Sequence, residues 1–230
     1  MVQHPTELHW IRPPRQVRTH QSLERILDVA EALLRDKTFE DIHVRELALR
    51  ADTSVAAFYR RFKDKDGLLH ALHERRCEEA FATADDALAL TRWKGANIAE
   101  ILFTIFPFLI EVMRPNESLY RAIYQRAISD ELMRERSMKL DRYVMSGLFD
   151  LIIARKSEIH HPDPEAAVSF ALTQAVALLI QQYTVGIRDM GPVPMSDDMI
   201  ARELATSCLA YLGAPKFETK TEASTEGDRP

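Results

Sequence analysis

The chain has 230 residues, a formal net charge of −5 and 46% hydrophobic residues, with only 7 glycines. That length can bury a good core, as one large or two modest domains, and the abundance of Ala, Leu, Arg and Glu favours helix. The acidic balance taken alone argues against a nucleic-acid partner, so any such role has to rest on a local excess of basic residues. Cys77 and Cys208, far apart in sequence, read as free thiols of a reducing compartment. Arg12, Arg15 and Arg18 have no apolar run beside them to make an export signal. The most hydrophobic stretch, residues 98–113, contains Glu100, Pro107 and Glu111 and is too short to span a bilayer. These features predict a cytoplasmic protein with no membrane partner.

Residues 1–18 carry Pro5, Pro13, Pro14, Trp10 and three arginines without periodicity, and read as a flexible basic arm. A first helix follows over 19–34, with Leu23, Ile26, Leu27, Ala30, Leu33 and Leu34 on one stripe. Phe39 and Ile42 fold the connection back onto it. Residues 44–51 then place Val44, Leu47, Ala48 and Ala51 at helical spacing. Asp52, Thr53 and Ser54 break that pattern, and Thr53 or Ser54 can cap the next helix. That helix, 55–62, buries Phe58 and Phe62 at i and i+4. Its other face presents Val55, Ala56 and Ala57 beside Tyr59, Arg60 and Arg61. Two short helices, a compact turn and an arginine-bearing second helix make a helix-turn-helix, which lays its second helix in the DNA major groove. Over 43–65 six basic residues (Arg45, Arg50, Arg60, Arg61, Lys63, Lys65) face three acids (Glu46, Asp52, Asp64), a basic surface on an acidic body.

Asp64 is a natural cap for a long helix running from Lys65 toward Leu88. Further helices are predicted over 97–114, where Pro107 should kink the rod and open space, and from Pro115-Asn116, with Asn116 as cap. A long helix reaches about residue 154. His160-His161-Pro162-Asp163-Pro164 is a stop and a restart. The helix 164–188 is rich in Ala166, Ala167, Ala171, Ala175 and Ala177. A last helix from the cap Ser196 carries Leu204, Cys208, Leu209 and Leu212, and a polar tail, 214–230, reads as disordered.

Leu47-Ala48, Ala51, Ser54, Tyr59, Phe62, Lys65 and Leu68 fall on the pattern I-A-x-x-A-G-V-S-x-x-x-L-Y-x-H-F-x-x-K-x-x-L, and over 19–72 the chain resembles the TetR family of one-component repressors. Four positions depart from it. Asp52 replaces the usual glycine, Thr53 the valine and Arg61 the histidine, and His43 stands where a capping Ser or Thr is usual. Glu46 is the residue able to reach back to the His43 N–H. The resemblance implies an all-α protein: a DNA-binding domain at 19–81, and a helical effector-binding and dimerisation domain at 82–213. Its last two long helices would pair with their mates in a homodimer, so that two recognition helices read a palindrome in double-stranded operator DNA. By position, Tyr59 and Lys65 would touch phosphates and Arg45 a guanine edge. Arg61 could do either, and Ala56 and Ala57 could meet a thymine methyl. The full candidate DNA set is His43, Arg45, Thr53, Ser54, Val55, Ala56, Ala57, Tyr59, Arg60, Arg61 and Lys65.

For a small-molecule effector of unknown identity, the middle helices offer Phe103, Phe106, Tyr120, Tyr124, Phe149, Phe170, Gln174 and Gln181 as a largely apolar chamber, with ordinary core as the plain alternative. Gln174 is expected on the face of Phe170, Ala171 and Leu178 as a buried amide. Enzyme readings are weak. The Glu-x-x-His pairs Glu40/His43 and Glu158/His161 lie at connections and helix ends. His70, Glu74 and Cys77 share a helix face more simply read as solvated than as a metal or redox site. No catalytic residue, metal or cofactor is assigned. The reading is a ligand-responsive repressor. The alternatives are a helix-turn-helix regulator without a small ligand and, further off, an all-α metal-dependent enzyme.

Overall fold

The computed structural model describes residues 17–188 and 191–215, and among these the regular elements are all helical. The arm expected at 1–18 lies outside them up to residue 16, and the tail expected at 214–230 from residue 216 onward.

Helix α1 (Val17–Leu34) turns its predicted apolar stripe inward, with Leu23, Ile26, Leu27, Ala30, Leu33 and Leu34 all buried. Helices α2 (Val44–Arg50) and α3 (Val55–Arg61) are two turns each, and too short to stand without the core beneath them. Their junction is a Schellman turn. Thr53 N–H reaches the Ala48 carbonyl at 2.9 Å and Asp52 N–H the Leu49 carbonyl at 3.3 Å, with Asp52 left-handed at φ 49°. Asp52 thus fills the usual glycine position with a residue that tolerates it less well. Ser54 Oγ accepts from Ala57 N–H at 3.0 Å and starts α3 in the right place. Phe58 and Phe62 are fully buried, with ring centroids 4.9 Å apart.

Helix α4 (Lys65–Ala87) begins at Asp64, whose Oδ1 accepts from Gly67 N–H at 2.9 Å. Its first turns, through Leu68, Leu69, Ala71 and Leu72, complete a core with α1, α2 and α3. That core also takes in Leu119, Ala122 and Ile123 of α6 (Glu117–Ala127) and Met133 of α7 (Glu131–Ile153). An Arg126–Asp66 ion pair ties α6 to the start of α4. A second core joins α5 (Ile98–Met113), the C-terminal half of α7, α8 (Pro164–Leu179) and α9 (Asp197–Leu212).

Helix α5 opens on a reciprocal capping box between Asn97 and Glu100 and runs on through Pro107. Asn116 stands at the N-cap position of α6 as expected but makes no side-chain cap bond: its Nδ2 donates to the Val112 carbonyl, and α5 passes into α6 through a 3₁₀ turn, Arg114–Asn116. Helix α8 ends in a π turn, Ile180–Val185, closed by Gly186 at φ 79°, where a Cβ would collide with the Arg121 guanidinium. By length and composition Pro164–Val185 could cross a membrane. In this fold it buries Ala167, Val168, Ala171, Leu172, Ala175 and Leu179 against α7 and α9. Leu204 of α9 is likewise an inward core residue.

Candidate nucleic-acid interface and ligand chamber

The outer surface of α2 and α3 gathers most of the residues expected at DNA. His43, Arg45, Ser54, Val55, Ala56, Tyr59 and Arg60 are exposed, and Thr53 and Ala57 are half-buried beside them. Tyr59, at 50% exposure, is braced edge-on against Phe58 at 5.3 Å, so its phenol projects from a fixed base. His43 caps α2 by backbone alone. Glu46 does not reach back to it, because its carboxylate is held by Lys37 at 2.8 Å and by Arg50 at 3.0 Å.

Two of the expected cations sit differently. Arg61 is only 9% exposed, and its burial lowers the guanidinium pKa, so it is packed inward rather than presented. It lies at i+3 from Phe58, on the face that the core claims. Lys65 donates to the Glu40 carbonyl at 2.9 Å and lies 4.7 Å above the Phe39 ring, which fastens α4 to the α1–α2 connection. Leu49, which nothing in the sequence pattern singles out, joins this surface. It is 81% exposed and stands at i+4 from Arg45, on the same face of α2.

Behind this surface, α4 carries two kinds of contact. Arg75 reaches back to α1, at 2.7 Å from Asp28, 2.9 Å from Glu31 and 3.4 Å from Glu24. Toward α7, the His70/Glu74/Cys77 face is not solvated. His70 Nε2 meets Asp130 Oδ2 at 2.9 Å, and Cys77 is buried, which pushes its thiol pKa up to about 12. His73, 4% exposed, lies between Arg136 (3.3 Å) and Ser137 (3.1 Å), and desolvation first and Arg136 second lower its pKa to about 3. An arginine can only donate, so His73 Nδ1 accepts and the ring proton sits on Nε2, toward Ser137 Oγ. Burial raises Glu74 to about 7. Among the described residues no group of three or more His, Cys, Asp or Glu is placed to hold a metal ion.

A cavity of about 330 Å³ opens between α4, α5 and α7, walled by Ala84, Leu88, Ile105, Leu109, Val144 and Leu148, with Arg76, Glu79 and Glu111 also in its lining. Of the predicted chamber residues, none lines it. Phe106 is fully buried in the core, Phe103 and Phe149 pack on that core, and Tyr120 packs on the other one. Tyr124 and Phe170 are exposed, at 44% and 49%. Gln174, expected as a buried amide, is on the exposed face of α8, because the alanine row Ala167, Ala171, Ala175 takes the inside. Gln181 lines a separate, larger hollow of about 740 Å³ beside Arg114, Tyr183 and Asp197.

Residues 26–72, which hold the whole helix-turn-helix, match the family model of the bacterial regulatory proteins of the tetR family. Over that segment the chain is similar to the TetR family. TetR-type architecture extends beyond the matched segment. A putative TetR-family transcriptional regulator from Mesorhizobium loti MAFF303099 aligns over 86% of this chain and 98% of its own, with a TM-score of 0.65 at 17% identity. A TetR transcription regulator from Haloarcula marismortui ATCC 43049 aligns over 84% and 97%, with a TM-score of 0.63 at 16% identity. A transcriptional regulator from Rhodococcus sp. RHA1 aligns over 84% and 97%, with a TM-score of 0.61 at 21% identity. No curated protein matches the chain. At these identities the structural likeness concerns the fold, a helix-turn-helix unit ahead of a larger helical body, as in the TetR-family structures it resembles.

Proposed function

We propose that the chain is a repressor that leaves a palindromic operator when a small, largely apolar effector occupies the cavity between α4, α5 and α7. The observation that carries this reading is that one helix serves both places. Helix α4 helps to seat α3 at one end and walls the cavity at the other. An effector that prefers one setting of α4 shifts the population between DNA-competent and released states. In this reading residues 19–81 read DNA, residues 82–213 bind effector and pair the subunits, and the protein works in the cytoplasm, where its DNA partner is.

The base-reading group is Arg45 with Leu49, Ala56 and Ala57; the phosphate group is Tyr59, Arg60 and the N–H donors that Lys65 has left. Homodimer formation would use the exposed faces of α8 and α9, where the Phe170 and Tyr211 rings meet in a tilted contact at 5.3 Å and Tyr211 meets His161 at 5.3 Å. Exposed aromatics of this size are the usual anchors of protein interfaces. The experiment is a titration of the purified full chain on genomic DNA fragments across a salt series. Enrichment of a palindromic fragment, with binding that falls steeply as salt rises, supports the reading. Binding that is equal on all fragments removes the sequence-specific part of it. A palindromic site that no apolar extract or compound releases would favour the regulator without a small ligand.

A further inference from the structure

We infer that helix α3 senses the C5-methyl group of pyrimidines, so that 5-methylcytosine in the operator is bound in preference to cytosine where the chain reads thymine. The inference rests on the reading of this surface as the operator-binding face. It adds a sensitivity to the methylation state of the DNA.

The exposed stripe of α3 sets the chemistry. Val55, Ala56, Tyr59 and Arg60 face outward, while Phe58, Arg61 and Phe62 take the core side. A recognition helix turns the leading residues of such a stripe toward base edges. Here they are Val55, 39% exposed, and Ala56, and neither side chain can donate or accept a hydrogen bond. Their neighbours do little to make up the lack. The Ser54 hydroxyl oxygen accepts from Ala57 N–H at 3.0 Å, Ala57 is half-buried and apolar, and the Arg61 guanidinium is packed inward.

Base edges differ in what they offer an aliphatic surface. In the major groove thymine presents its C5-methyl, whereas cytosine presents the N4 amino donor. Against Val55 and Ala56 the amino group loses water and gains no acceptor, while a methyl group is buried favourably. 5-Methylcytosine carries its methyl on the same ring carbon as thymine, so it recovers the aliphatic contact within a G·C pair. This surface therefore sorts pyrimidines by their methyl group more than by their exocyclic polar group. One buried methyl is worth about fourfold in affinity, and about fifteenfold when both half-sites of a palindrome carry it.

The full chain first selects its preferred sequence from duplexes with a randomised centre. Each thymine of the selected half-site is then replaced by deoxyuridine, which lacks only the methyl, in both half-sites at once. Fluorescence anisotropy at one salt concentration reads the affinities. At one or more positions the loss should be about fifteenfold. At those positions 5-methylcytosine should bind about fifteenfold more tightly than cytosine. Val55→Ala and Ala56→Gly, checked for folding by circular dichroism, place the contact: one or both should bring the thymine-to-deoxyuridine ratio toward one. A role in folding alone would weaken both duplexes alike and leave the ratio unchanged. The inference is overturned if no thymine is sensitive, if methylated cytosine binds no better than cytosine, or if both folded variants keep the wild-type ratio. Selection of no sequence removes the operator reading and this inference with it. A selected sequence bound equally well with uracil overturns this inference alone.

Discussion

Asp52 offers a test in which stability and DNA affinity should move together and can still be separated. It holds the left-handed position of the α2–α3 turn at φ 49°, and it is an exposed acid inside a basic surface. The left-handed conformation costs an L-residue roughly 1–2 kcal/mol, less for Asp than for most. Asp52→Gly removes that cost but gives the unfolded chain more freedom, worth about 0.4–1 kcal/mol. The expected net gain is therefore about 0.5 kcal/mol. Asp52→Ala keeps the strained backbone and loses Asp's tolerance of it, so it should fall below wild type. The Gly and Ala variants should differ by ~1 kcal/mol, about 2–4 °C in melting midpoint for a chain of this size. Urea unfolding monitored by circular dichroism measures the difference. DNA affinity should rise in both, because an acid has left the phosphate-facing surface. Asp52→Asn isolates the charge, since Asn also tolerates the left-handed region. Equal stability of the Gly and Ala variants would refute the strain argument, and unchanged affinity of the Asn variant would take Asp52 off the DNA face.

His73 and Glu74 should pull the pH dependence of stability in opposite directions. His73 is held neutral, with a folded pKa near 3 against 6.5 when unfolded, so stability present above pH 6.5 is lost as the pH falls toward 3. Glu74 is raised to about 7 from 4.5, so its share is present below pH 4.5 and lost as the pH rises through 7. The stability gap between wild type and His73→Gln should narrow by ~2 kcal/mol between pH 6.5 and 5, at about 1.4 kcal/mol per unit, and a gap that stays constant in urea melts would show His73 titrating normally. Glu74→Gln should change the gap in the opposite sense. Phe170→Glu on the outer face of α8 should give monomers in sedimentation with thermal stability nearly kept, whereas Leu204→Glu, placed in the core, should unfold the chain; a dimeric Phe170→Glu moves the interface elsewhere. Arg45→Ala should relax preference at one base pair of each half-site, a loss of roughly 1–3 kcal/mol in discrimination, and a uniform loss over operator and scrambled DNA would instead make Arg45 a phosphate contact.

The helix-turn-helix was legible because its signals are local. Ser54 and Asp64 announce caps three residues ahead of the N–H groups they accept, and Phe58 and Phe62 mark one face within a single turn. The burial of Arg61 was also available in principle, since i+3 from Phe58 lies on the core side, but basic character was given more weight than helical phase. The cavity between α4, α5 and α7 was not legible. Large aromatics suggest a lining in sequence, yet Phe106 fills the core, and this space lies beside Ala80, Ala84 and Ala87, where α4 has little to offer its neighbours. Empty volume depends on how α4, α5 and α7 are set against one another, and no one stretch of sequence holds that information. Gln174 and Phe170 show the same limit. Ala167, Ala171 and Ala175 face in beside Val168, Leu172 and Leu179, and the phase of that row turns Phe170 and Gln174 outward.

Helix α4 is also a lever. Its 23 residues make a rod about 34 Å long at 1.5 Å per residue. A tilt of only about 5° at the cavity end sweeps the Lys65 end through about 3 Å. That is close to the 3.4 Å separating successive base pairs along DNA. Under the proposed mechanism a ligand would have no need to deform the recognition surface in order to spoil it. Leaning the rod by that amount would be enough, and two symmetry-related copies would double the misfit across a palindrome.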